Sequence, residues 1–307
     1  MALRRKIFWK LQNRVMTFIL LPAILIALVW VLATNSNNRA KPNLEIFRIV
    51  VFGDFGKGNP EQYAVGAAMG KYCQSKICDL AITTGDNFYP AGVSSVDDPK
   101  WKTHFEDPYA SFDFLVYATV GNHDYDGSLQ AQIDYSAKSK KWRFPALTYF
   151  VPNLPENLSI YISDTIQFTG NQVKDIKSNL CKKNGWKMIF GHFPIYSTGR
   201  HGGSAQLTAE LLPVIKECGI DTYVSGHDHD QEFFSDGDTD FVVQGAGADT
   251  RPFPNAEKKE NGNRKFGSTE PGFTIFEISE QKIHIEFYNT ALTKIFEFDR
   301  LKSWHKD

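Results

Sequence analysis

The chain has 307 residues, 42% hydrophobic and 14% aromatic, enough apolar material for a large core, so global disorder is excluded. Its formal net charge of −1 excludes the broadly basic surface that a nucleic-acid partner demands. The length suits one α/β domain of about 250 residues, or two smaller ones.

Residues 1–14 form a basic segment with Arg4, Arg5, Lys6, Lys10 and Arg14, expected to stay in the cytoplasm. The uncharged run 15–33, VMTFILLPAILIALVWVLA, has nineteen residues, enough for a helix to cross a hydrocarbon core. It reads as an N-terminal transmembrane signal-anchor, or as a signal peptide cleaved at Val31-Leu32-Ala33. Either way the remainder is expected to be exported. It would be a single-pass protein with an extracytoplasmic catalytic domain or, once cleaved, a secreted one. A polar linker fills 34–44, and the folded domain is placed at 45–302.

Five short apolar runs then recur: IFRIVVFGD, DLAITTGD, FLVYATVGN, WKMIFGH and DTYVSGH. Runs this continuous suit strands buried on both faces. Each ends in Gly followed by Asp, Asn or His. Helical segments lie between several of them. Asn59-Pro60 reads as a cap and first turn, with Val65, Ala68, Met69 and Tyr72 on one face. GNQVKDIKSNLCKKNG begins and ends with breakers, and AQLTAELLPVIKECG gathers Leu207, Leu211 and Val214 on one side, with a bend expected at Pro213. The alternation implies right-handed crossovers and a largely parallel sheet. FVVQGAG, GFTIFEISE, KIHIEFYN and KIFEFDR instead alternate apolar with polar residues, as antiparallel strands with one covered face do. Residues 249–272 read as the longest loop.

The four cysteines allow three pairings, among them Cys73 with Cys78 and Cys181 with Cys218, and four buried thiols are the alternative. Asn157-Leu158-Ser159 is a glycosylation sequon.

Side chains just beyond the carboxyl ends of parallel strands converge on one crevice. Here those positions hold Asp54, Asp86, Asn122, His192 and the pair His227 and His229. Oxygen and imidazole donors without a thiolate suit iron, zinc or manganese. In SGHDH, two histidines two residues apart in a segment leaving its strand reach two neighbouring ions. In TTGDNFY, Asp86 has two oxygens with which to bridge a pair of ions, and Tyr89 lies on the same side of the turn. A phenol titrates near pH ~10, so only a strongly Lewis-acidic ion such as Fe(III) would hold it as phenolate near neutrality. His104, His284 and His305 lack the strand-end glycine and read as surface or packing residues. GDFG is not a kinase magnesium triplet, because no H-R-D loop occurs and a membrane run fills much of the chain before Asp54. GDFGKGNP does not supply a Walker loop either.

In this order, GDFG, GDNFY, GNHD, GHFPIYS and SGHDH resemble the purple acid phosphatases, in particular their small tartrate-resistant type, within the calcineurin-like metallophosphoesterases. The likeness runs from about Phe47 to Arg300. It implies a four-layer α/β/β/α sandwich of mostly parallel strands followed by antiparallel C-terminal ones. It implies Asp54, Tyr89 and His229 on a ferric ion, Asp86 bridging, and Asn122, His192 and His227 on a second ion. That ion would be Fe(II) or Zn(II), with Mn(II) as a further option. His123 and His201 match the family's catalytic histidines. The implied activity is an acid phosphatase that hydrolyses small phosphate monoesters by a dinuclear-metal-activated hydroxide, with a histidine as general acid. A phosphodiesterase or nucleotide hydrolase on the same site, and a membrane-tethered scaffold without activity, are the alternatives. Three features depart from the family. Arg200 stands where the tartrate-resistant enzymes carry an acidic residue before the second histidine, the loop after ISDTIQFTG is shorter, and their disulfide partner near Thr165–Phe168 is missing.

Overall fold

The strand-forming sequence makes two seven-stranded sheets in a computed structural model that describes residues 46–254 and 263–302. In the first sheet β1 (Phe47–Phe52), β2 (Leu80–Thr83), β3 (Leu115–Tyr117) and β4 (Trp142–Arg143) are parallel neighbours. On the other side of β1, β12 (Gly272–Ile278), β13 (Lys282–Asn289) and β14 (Lys294–Leu301) extend the sheet antiparallel. The second sheet has a parallel centre of β6 (Leu158–Ile162), β7 (Trp186–Phe190), β8 (Thr222–Ser225) and β10 (Thr239–Gln244). Antiparallel β5 (Tyr149–Phe150) edges it on one side, and β9 (Gln231–Asp236) and β11 (Arg264–Ser268) on the other.

The two-residue period of a strand sorts its side chains between layers. Ile49 and Val51 of β1 point into the core between the sheets, with Ile82, Met188, Phe190, Val224 and Phe276. Val50 and Phe52 point the other way, against helix α1 (Pro60–Ser75) and an aromatic cluster around Tyr109. On the far side of the second sheet, Tyr161, Ile189 and Tyr223 pack against α5 (Ala205–Glu210) and α6 (Leu212–Cys218) through Leu207, Leu211 and Ile215. These three apolar clusters hold four layers together, as the resemblance implied.

The local signals hold for several elements. Asn59 caps α1, its Oδ1 accepting the Gln62 N–H at 3.0 Å, and Val65, Ala68, Met69 and Tyr72 are all buried. The AQLTAELLPVIKECG helix breaks at Leu211, because Pro213 has no N–H for the carbonyl one turn back. Between β3 and β7 the chain carries three short helices: α2 (Asn122–Tyr125), α3 (Leu129–Tyr135) and α4 (Gly170–Asp175), the last running into a π-type turn, Ile176–Leu180. The cysteines pair as Cys73–Cys78 and Cys181–Cys218, which removes the reading of four free thiols.

Other expectations need correction. FVVQGAG is not a purely antiparallel strand: β10 pairs parallel with β8 as well as antiparallel with β9, and Phe241, Val242 and Val243 are all buried. The long loop is interrupted by β11, an edge strand held by hydrogen bonds to β9 and by Phe266, which packs on the core between the sheets against Phe287 and Phe296. The expected basic segment 1–14, membrane run 15–33 and linker 34–44 lie outside the described residues, as does His305. Among the described residues no helix is long and apolar enough to cross a membrane.

Candidate metal centre

Both sheets aim the carboxyl ends of their parallel strands at one seam. Asp54 follows β1, Asp86 follows β2, and Asn122 opens α2 after β3; His192 follows β7, and His227 and His229 follow β8. Asp54, Asp86 and His227 take positive φ angles of 54°, 50° and 70°, which turn these side chains inward from the strand ends. The glycines of the motifs permit the close approach. A Cβ on Gly121 would stand 2.2 Å from Asp86 Oδ1, and one on Gly226 would stand 2.4 Å from Asp54 Oδ2.

The donors fall into two facing groups joined by Asp86. In one, Tyr89 Oη lies 2.9 Å from Asp86 Oδ2, 3.1 Å from Asp54 Oδ1 and 3.2 Å from His229 Nε2. In the other, His192 Nε2 lies 3.0 Å from Asn122 Oδ1 and 3.4 Å from Asp86 Oδ1. His227 adjoins the second group, its ring 5.0 Å from that of His192. Six of the seven expected donors are thus linked through close side-chain approaches, and the His227 ring stands beside them. Asp54, Asp86 and His192 alone present three ligand atoms within 4.8 Å of one another.

Two of the imidazoles are oriented from behind. His192 Nδ1 is 2.7 Å from the Thr84 carbonyl, so that nitrogen donates and Nε2 keeps its lone pair for the nest. His229 Nδ1 is 2.5 Å from Asp249 Oδ1 and is directed the same way. Burial pulls His192 and His229 below the ordinary imidazole range, and burial followed by the neighbouring His192 takes His227 down to about 2. Burial and then the Asp86 charge push Asp54 well up, and burial with Asp54 and Asp86 does the same to the Tyr89 phenol. Acceptors thus crowd together without a counter-charge. Among the described residues no Lys or Arg pairs with Asp54 or Asp86, whose only ion-pair neighbours are histidines. Two buried carboxylates, a phenol and imidazoles with inward lone pairs fit divalent and trivalent cations.

The two expected catalytic histidines sit at the mouth. His123 Nδ1 is 2.5 Å from the Pro90 carbonyl, which leaves Nε2 facing the nest, 3.9 Å from Asp86 Oδ2. His201 is exposed, its ring 4.3 Å from that of His227 and its backbone N–H donating to Asp228 Oδ1 at 2.7 Å. His104 and His284 stay outside. His104 packs beside Gly58, and His284 pairs with Glu286 and Asp299 on the outer strands of the first sheet.

Sequence reasoning missed the residues behind the ligands. Asp124, the last residue of GNHD, is fully buried and accepts hydrogen bonds from Gly121, Asn87 and Gln132. Asp228, between the two histidines of SGHDH, holds the His201 loop through Ser197, His201 and Gly202. Both lie inside motifs already singled out, where the ligands drew attention. Asp249 and Lys57, an ion pair at 2.6 Å, carried no spacing signal at all.

The family profile of the calcineurin-like phosphoesterases matches residues 47–231, from β1 to just past the second histidine of SGHDH. The chain belongs to that family. Purple acid phosphatase 17 of Arabidopsis thaliana is 32% identical over 229 residues, 65% of this chain and 68% of the relative. Tartrate-resistant acid phosphatase type 5 of Mus musculus is 28% identical over 310 residues, 88% and 94% of the two chains. Among solved structures, GAP50, described as the anchor in the inner membrane complex of Plasmodium, superposes with a TM-score of 0.76. It is 24% identical and covers 84% of this chain and 90% of its own, a likeness of fold alone. Within the calcineurin-like phosphoesterases this chain stands among the purple acid phosphatases and is a metal-dependent acid phosphatase. Membership of this family implies a dinuclear metal site.

Proposed function

We propose that this enzyme hydrolyses small phosphate monoesters at a centre of Fe(III) with Fe(II) or Zn(II). Asp54, Tyr89 and His229 would hold the ferric ion, Asn122, His192 and His227 the second, and Asp86 both. The observation that carries this reading is the division of Asp86, with one oxygen facing the Tyr89 group and the other facing His192. When bound, the ion pair supplies Lewis acidity that neutralises phosphate charge and acidifies water.

The remaining work falls to the protein. With Nδ1 committed to Pro90, His123 presents Nε2 at the mouth and delivers a proton to the departing oxygen. His201 lines the same opening and contacts the substrate or its leaving group. Asn122, a neutral donor, would leave its ion more acidic than an aspartate in its place. A histidine that must carry a proton favours an acidic optimum.

A scaffold that kept only the fold would have no need to retain all seven donors in one nest. Two disulfides fit an oxidising compartment, which supports export of a domain spanning 45–302. The segment 15–33 would serve as anchor or signal.

The test is metal analysis with a visible spectrum, run beside a panel of mono- and diesters. Two ions per chain, a violet band and faster turnover of monoesters are expected, and Tyr89→Phe should bleach the band. A colourless, iron-loaded wild type would remove the ferric assignment. Preferred turnover of diesters would replace the monoester reading.

A further inference from the structure

Arg251 stands at the rim of the nest and takes no part in the chemistry above. Its backbone N–H donates to the His229 carbonyl at 2.8 Å, which fixes the residue beside the centre. Its guanidinium Nη1 lies 3.3 Å from His201 Nε2, one imidazole removed from His227. Four other arginines of the domain are committed elsewhere. Arg48, Arg264 and Arg300 pair with Glu277, Glu232 and Asp240, and Arg143 donates to backbone carbonyls. Among the described residues Arg251 has no carboxylate partner, whereas Lys57 on the same rim is neutralised by Asp249. A guanidinium carries five N–H donors in a planar fork, and one imidazole nitrogen engages only one of them.

Two further features point outward from this cation. Arg200, exposed and adjacent to His201 in the chain, is a second arginine on this segment. Beyond Arg251 the surface opens into a groove of about 740 Å³ between residues 250–253 and 267–270, wide enough for a leaving group of several atoms. Forks of this kind close bidentately on phosphate.

We propose that Arg251 is a specificity determinant that binds a second phosphate carried by the leaving group. The preferred substrate class is then a bisphosphorylated small molecule rather than an ester with an uncharged leaving group. The inference rests on the phosphatase reading. On binding, the fork leaves His201 and engages the second phosphate, while the first occupies the nest.

The experiment compares kcat/KM for 1,3-propanediol bisphosphate, propyl phosphate and the phosphate ester of 3-hydroxypropionate, in wild type, Arg251→Gln and Arg251→Lys. Calorimetry of propane-1,3-bisphosphonate against propylphosphonate gives a readout without turnover, and equal melting temperatures show that the variants are folded. A charge-assisted contact predicts a wild-type preference for the bisphosphate of roughly ten- to hundredfold. Arg251→Gln should lose that preference in both assays, and Arg251→Lys should restore part of it. An unchanged ratio and unchanged bisphosphonate affinity in Arg251→Gln, with propyl phosphate still turning over, would overturn the inference and leave the phosphatase standing. Equal preference for the carboxylate ester would overturn the assignment to phosphate. If no ester were hydrolysed, the phosphatase reading would fall, and the bisphosphonate comparison would still decide the role of Arg251.

Discussion

Replacing Asp124 by alanine should loosen the metal centre without touching any of the seven proposed ligands. Its carboxylate is fully buried and ties together the turn after β2 and the start of α2. Oδ2 accepts the Gly121 N–H at 2.8 Å and Asn87 Nδ2 at 2.9 Å, and Oδ1 accepts the Asn87 N–H and Gln132 Nε2, both at 3.1 Å. Asn87 follows Asp86 and Gly121 precedes Asn122, so Asp124→Ala leaves four donors around two ligand loops without their acceptor. A buried unsatisfied donor costs 1–3 kcal/mol, and water entering the small gap keeps each near the lower bound, so the total is about 4 kcal/mol. At about 2–4 °C per kcal/mol for a domain of this size, the melting temperature of chelator-treated protein should fall by about 8–16 °C. Removal of an orienting group behind a ligand also lowers ion affinity by about 10–100-fold. Thermal melting in chelator followed by a zinc titration measures both effects. The exposed Asp126, two residues on, is the control, and Asp126→Ala should stay within about 0.5 kcal/mol of wild type. If Asp124→Ala melted within about 2 °C of wild type and bound zinc equally well, the idea that this carboxylate holds the ligand loops would be wrong.

Three further outcomes follow from other parts of the molecule. His123→Ala should slow alkyl esters by about 10²–10⁴-fold and aryl esters far less, and equal slowing of both would remove His123 as the acid. Breaking Cys181–Cys218, which closes 37 residues, should cost about 4 kcal/mol, against about 2 kcal/mol for Cys73–Cys78, which closes 5. Urea melts of the paired serine variants give that comparison, and equal losses would count against the chain-entropy account. On the outer strands, burial pushes Glu286 up, but the hydrogen bonds and charges of Lys294 and then His284 together outweigh it and hold the carboxyl below its usual range. A folded-state value below the unfolded one gives stability that is full above the unfolded value and lost as pH falls through the folded one. Lys294→Met should therefore move the midpoint of acid unfolding to higher pH, and a circular-dichroism titration with no shift would contradict the assignment.

The site was far more legible in the sequence than its supports. Short apolar runs ending in Gly plus a donor mark both a strand and the edge where its chemistry sits, so Asp54, Asp86, Asn122, His192, His227 and His229 could be named from local pattern. Tyr89 depended on lying three residues past Asp86. The strand β6 escaped because it ends in Ser163-Asp164 without a glycine, and β9 because QEFFSD mixes apolar with charged residues. β11 escaped for a different reason. Phe266 is its one large apolar residue, and the strand is made by pairing with β9, some thirty residues earlier, and by that ring packing on Phe287 and Phe296. The contacts of Asp249 with His229 and of Arg251 with His201 likewise join residues 20 and 50 positions apart, a relation that no local pattern encodes.

Asp54, Asp86 and Asn122 ride on one sheet, whereas His192, His227 and His229 ride on the other. The nest is therefore a vernier for the alignment of two slabs. Sliding them by a fraction of a side chain would part its donors while leaving every strand ladder intact. Repacking Phe190 against Phe276, buried between the sheets, should register in ion affinity before it registers in secondary structure.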